Sequence, residues 1–176
     1  MTLYKSIFAV LLLTASHFAA ASDCIQIKVI KPIVVQFSSD DVKSKRFDQV
    51  KLLHEDKSGI CLPTLDTYVL AYSEGVPFIA ARLKGHTPNI TLIKKDEIEY
   101  ALIKYHTGNK LQVLKGYQYV DSDLIELPNF TLSSNLSQIN IVNGSIEVNN
   151  TELVKNKVIN QLAYYEFDLT GIHKKR

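Results

Sequence analysis

The stretch "QINIVNGSIEVN", residues 138–149, decides how the chain is read. Asn143-Gly144 between two alternating apolar runs is the strongest short-range signal for a β-hairpin, because both residue types tolerate the positive φ of a type I′ turn. A two-residue turn there sets the register: Val142 faces Ser145, Ile141 faces Ile146, Asn140 faces Glu147 and Ile139 faces Val148. Both wholly apolar pairs fall on one face and the polar Asn140/Glu147 pair on the other, as a half-buried strand pair requires. Turn chemistry and side-chain pattern therefore agree on a fold element. The same residues also spell Asn143-Gly144-Ser145, an acceptor triplet for N-linked sugar.

Working outward, the chain from Thr64 onward is a series of short β-branched and aromatic runs separated by Gly, Pro, Asn and Asp. "TYVLAY" and "PFIAARL" flank Ser73-Glu74-Gly75 as a hairpin, and "NITLIK", "EIEYALIKY", "KLQVLKGYQYV", "LIELP" and "NFTL" follow. Upstream, "IQIKVIKPIVVQF" is interrupted by Pro32, which cannot donate to a ladder, so it reads as an edge strand or as two strands with a bend. The whole predicts a mainly β fold, an antiparallel sandwich or barrel of about eight or nine strands.

Two segments depart from that pattern. Within 38–59, Phe47, Val50 and Leu53 recur at helical spacing after Ser38 or Ser39 as a cap and before Gly59 as a stop, which predicts a helix in the N-terminal half. Within 149–167, Val154, Val158, Leu162 and Tyr165 recur at three- and four-residue steps, which predicts a C-terminal amphipathic helix.

Residues 1–21 read as a secretory signal: Lys5, the apolar run "IFAVLLLTA" and Ala19-Ala20-Ala21 supply its three regions. Residues 22–176 then form a single β-rich domain with no further membrane span, exported to the periplasm or outside the cell. The Ala-rich end of the signal and the single cysteine pair slightly favour a bacterial periplasm. In an oxidising compartment Cys24 and Cys61 are expected to form a disulfide. Removing Lys5 leaves 19 basic and 18 acidic residues, a formal charge of +1 that offers no field for nucleic acid. Five of the ten asparagines open Asn-x-Ser/Thr triplets, so Asn89, Asn129, Asn135, Asn143 and Asn149 are candidate glycan acceptors.

Catalytic patterns are missing from the sequence. His54, His86, His106 and His173 have different neighbours, and neither HExxH, a Gly-x-Ser-x-Gly elbow nor a phosphate-cradling glycine loop occurs. His54 is expected at the end of the first helix and His106 in a hairpin loop. Glu97 and Glu99 fall on one strand face, but with Ile98, Tyr100 and Leu102 opposite they are expected to face water. Asp121 and Asp123 alone fall short of a calcium loop. Neither an enzyme nor a cofactor is expected.

Tyrosine is the one residue type that suggests recognition. Tyr100, Tyr105, Tyr117 and Tyr119 fall in two runs expected to be neighbours, and a Tyr-rich sheet face suits a protein or glycan partner. The leading expectation is an exported, non-enzymatic binding protein of the adhesin, pilus-associated or receptor-partner type. The Cys24/Cys61 spacing resembles, over those two residues, the N-terminal domain of fimbrial adhesins. Many strands before a late helix are similar to a lipocalin, which implies a carrier or sensor for a small apolar ligand; the Gly-x-Trp signature of that family is missing, because the chain has no Trp. A secreted hydrolase inhibitor shares the same format.

Overall fold

A computed structural model of the chain describes residues 27–37, 45–55, 58, 60–142 and 144–176. Residues 1–21, expected to be a signal, and Cys24 lie outside the described residues, as does Asn143. Among the described residues there are fourteen strands and no helix. In chain order they are β1 (Ile27–Pro32), β2 (Val34–Phe37), β3 (Asp48–Glu55), β4 (Cys61–Pro63) and β5 (Thr67–Ser73). Next come β6 (Val76–Leu83), β7 (His86–Lys95), β8 (Ile98–Thr107), β9 (Leu111–Val120) and β10 (Asp123–Ser134). The last are β11 (Gln138–Val142), β12 (Ser145–Val154), β13 (Lys157–Asp168) and β14 (Gly171–Lys174).

These strands make three sheets rather than one barrel or one two-layered sandwich. The first has the order β1-β3-β5-β6, with β4 also pairing with β3; the second is β10-β9-β8-β7-β2; the third is β11-β12-β13-β14. All pairings are antiparallel except β2 with β7. Pro32 separates two strands that serve as edges of different sheets, where its missing N–H costs least.

The β10-β9-β8-β7-β2 sheet is covered on both faces. On one face Ala101, Ile103, Tyr105 and Tyr117 join Val69 and Leu83 of the first sheet, and Phe47 just before β3, in a common core. On the other, Tyr100, Leu102, Leu114 and Phe130 pack with Ile139, Ile146, Val148 and Phe167 of the third. Alternate residues of β8 therefore enter different cores, which explains why "YALI" is apolar without a polar break. Gly116 of β9 makes room on this second face: a Cβ there would intrude on the Phe130 ring.

Turn geometry accounts for the hairpins. Glu74-Gly75, Asp96-Glu97, Asp121-Ser122 and Lys155-Asn156 each place both central residues at positive φ, between 48° and 84°, the type I′ signature that matches strand twist. The Asn143-Gly144 hairpin has the register expected from its sequence in all four pairs, with Ile139, Ile146 and Val148 buried.

Both expected helices are strands where the chain is described. Phe47 precedes β3, which runs through Val50 and Leu53 in the middle of the first sheet, with β1 on one side and β4 and β5 on the other. His54 accordingly lies in β3, opposite Leu62. The C-terminal segment is the β12–β13 hairpin turning at Lys155-Asn156, and Tyr165 pairs with Ile146 across it. Here β-branched Thr151, Val154, Val158 and Ile159 favour extended backbone, and nine consecutive cross-strand pairs outweigh an apolar repeat that fits a helix. "LIELP" and "NFTL" join in one strand, β10, whose register shifts between Glu126 and Thr131.

Candidate binding surface

The third sheet has two unlike halves. Near its base, side chains close the edges that strands leave open. Ile139 on β11 donates its N–H to Gln112 Oε1 at 2.8 Å and accepts from Lys104 Nζ at 3.0 Å. Burial lowers the Lys104 pKa, yet this carbonyl gives the ammonium a partner. Asn135 treats Thr151 of β12 the same way: its Oδ1 accepts the Thr151 N–H at 2.8 Å, and its Nδ2 donates to the Thr151 carbonyl at 2.7 Å. Lys95 Nζ donates to the Phe167 carbonyl at 3.0 Å and so ties β13 to the central sheet.

Beyond Thr151 such clasps end. β14 pairs with β13 only at Tyr165–Asp168, and one further bond joins Lys175 N–H to the Tyr164 carbonyl, so 157–163 has no strand on that side among the described residues. The β12–β13 hairpin continues as an arm held by its own ladder. Its cross-strand pair Leu153/Val158 is about 70% exposed on both sides, and Leu162 and Tyr164 extend the stripe along the same face of β13. Val154 and Ile159 are exposed on the opposite face. Lys155 occupies the turn and Lys157 follows it. An apolar hairpin with unpaired edges is a template for another chain, and lysines near such edges are a usual guard against indiscriminate pairing.

The four tyrosines expected to form a surface do not do so. Tyr100, Tyr105, Tyr117 and Tyr119 are 3–7% exposed, and they divide between the two cores, Tyr100 on one face of the central sheet and the other three on the opposite face. Tyr100 meets Phe167 edge-on at 5.2 Å between centroids, and Phe47 meets Tyr119 at 6.0 Å. Tyr100 and Tyr105 are five residues apart on β8 and so point to opposite faces of the strand, and each face is covered by another sheet.

The acidic pairs are also separated. Glu97 sits in the β7–β8 turn, where Lys94 at 2.9 Å holds its carboxyl below the usual range, whereas Glu99 on β8 pairs with Lys45, which precedes β3, at 3.3 Å. Asp121 is a turn residue and Asp123 accepts the Leu124 N–H. His106 lies in β8 rather than in a loop, stacked on His86 with centroids 6.0 Å apart, and His173 in β14 contacts Asp168 at 3.3 Å. Among the described residues, no group of three or more His, Cys, Asp or Glu is placed to hold a metal, and no helix is long and apolar enough to cross a membrane.

Of the candidate glycan acceptors, Asn89 is half-buried in β7 and Asn129 is exposed in the irregular part of β10. Asn135 is committed to Thr151, and Asn149 donates to Gln138 Oε1 at 2.8 Å while its own Oδ1 is buried. A glycan at either of these two would compete with those contacts. Cys61 opens β4 and is not a free thiol.

The arm is not among the features expected from the sequence. A signal for it exists in "VKNKV", 154–158, where Asn156 suits positive φ between two β-branched residues. No family model, no curated protein and no solved structure matches the chain.

Proposed function

We propose that the chain is an exported, non-enzymatic binding protein that docks a protein partner through the β12–β13 arm. The occupant is an extended strand of that partner, laid along the open edge of β13 and over the Val158/Leu162/Tyr164 stripe. One observation carries the reading: large apolar side chains are exposed on both faces of a hairpin whose distal edges have no strand partner among the described residues. Covering each of these side chains would contribute about 1 kcal/mol, and the unpaired backbone would supply specificity of register. Lys155 and Lys157 favour acidic residues at the partner's flank.

Export and a Cys24–Cys61 bridge belong to the same proposal, since a docking arm of this kind is useful where the partner is presented. The lipocalin-like alternative is not favoured: it relied on a closed barrel, and the central sheet has side chains packed on both faces.

The test places a photo-crosslinking residue at Asn160, between Val158 and Leu162, in the chain expressed in its native compartment. The expected result is one discrete conjugate with another protein, its mapped peptide an extended segment, lost at least tenfold in a Val158→Lys/Leu162→Lys chain whose thermal unfolding is unchanged. Conjugates that survive the double substitution, or that form only between copies of this chain, would overturn the reading.

A further inference from the structure

On the side of the central sheet away from the arm, a cleft of about 380 Å³ opens between β6 and β9, lined by Arg82, Lys84, Tyr105 and Lys115. Three of these four side chains are cationic. Asp66 takes two nitrogens of Arg82, at 2.7 and 2.5 Å, and Glu126 pairs with Lys115 at 2.5 Å. Lys84 has no ion-pair or side-chain hydrogen-bond partner among the described residues, so the cleft keeps a net positive charge.

Tyr105 supplies an independent observation. It is 96% buried, it lines the cleft, and its hydroxyl has no hydrogen-bond partner among the described residues. The ring is buried while the hydroxyl oxygen keeps access to the cleft, where it is free to donate to a ligand oxygen. Burial, assisted by Glu126, raises the Tyr105 pKa, so the group stays protonated and acts as a donor. A cationic rim above a neutral donor suits an anionic oxygen and repels cations.

The geometry points to this cleft as a binding site for a small carboxylate or sulfate group, held by Lys84 and the remaining N–H groups of Arg82 and hydrogen-bonded by Tyr105. The group can belong to a free anion or to an acidic saccharide. This site lies across the central sheet from the arm, so the two proposals stand or fall separately.

Calorimetric titration of the full chain with sodium sulfate, with glucuronate and with a sulfated disaccharide tests it. Saturable binding of at least one is expected, weakening with added salt, with affinity falling roughly tenfold in Tyr105→Phe and in Lys84→Ala. Binding of sulfate and saccharide alike would assign the site to the anionic group itself, and tighter binding of the disaccharide would assign it to the sugar. Tyr105→Phe keeps the ring in the core, so its thermal unfolding reports whether the fold is intact. No saturation up to about 10 mM for any of the three, or affinity in both substituted chains unchanged from the parent, would overturn the assignment.

Discussion

Two ends of one hairpin obey different rules. At the base of β12–β13, Ile146 and Val148 are buried beside Phe167, and side-chain clasps satisfy the neighbouring backbone. At the tip, residues of the same apolar character, Leu153 and Val158, face solvent. Hydrophobicity alone does not separate these sets; what separates them is whether a second sheet lies opposite. The base is explained by folding stability, whereas burial does not account for the apolar residues at the tip.

That contrast breaks most readily under truncation. Phe167→Ala should destabilise the chain by about 3–5 kcal/mol and Ile146→Ala by about 2–5 kcal/mol, because each leaves a cavity between two sheets. Leu153→Ala and Val158→Ala should stay within about 0.5 kcal/mol, since most of their surface already meets water. Urea unfolding of the four variants measures this directly, and a tip variant as costly as Ile146→Ala would mean that the arm is part of the core.

The same contrast shows what the sequence revealed. Asn143-Gly144 fixed a register because its turn chemistry and its alternation coincide, and the structure repeats all four pairs. Pro32 located two edges because a missing donor is costly anywhere else. The helix expected over 149–167 arose because Val154, Val158, Leu162 and Tyr165 lie on two faces of a hairpin whose tip is exposed on both, so burial imposes no period-2 alternation there. The tyrosines misled for a related reason: a strand covered on both faces has no polar side to mark its surface, and which sheet covers it depends on contacts distant in sequence. The cationic cleft joins Arg82 to Lys115 and was not readable from local pattern.

A smaller effect should come from the point where the two halves meet. Asn135 is exposed, so Asn135→Ala exchanges its two bonds to Thr151 for bonds to water and should cost about 1 kcal/mol. The sharper readout is amide hydrogen exchange. The Thr151 N–H should lose protection while those of the buried base keep theirs, which would show that the clasp sets where the arm begins; unchanged protection at Thr151 would show that the β12–β13 ladder alone does so.

The smallest effect concerns the far end of β13, where Asp168 starts the turn into β14. Its Oδ1 accepts the Thr170 hydroxyl at 2.6 Å and the Thr170 N–H at 2.7 Å, and His173 lies at 3.3 Å. These bonds, the Thr170 hydroxyl first, lower the Asp168 pKa from 3.8 to about 2. A carboxyl whose folded pKa is depressed contributes stability that is fully present above the unfolded value and is lost as pH falls through the folded one. The contribution of Asp168 should therefore be complete at pH 5 and disappear between pH 4 and about pH 2. Carboxyl-carbon NMR titration should place the Asp168 midpoint near 2, and in Asp168→Asn the stability lost over that pH window should be smaller than in the parent. Because the turn lies at the base, the arm's backbone shifts should stay fixed throughout; movement there would mean that the two halves are coupled after all.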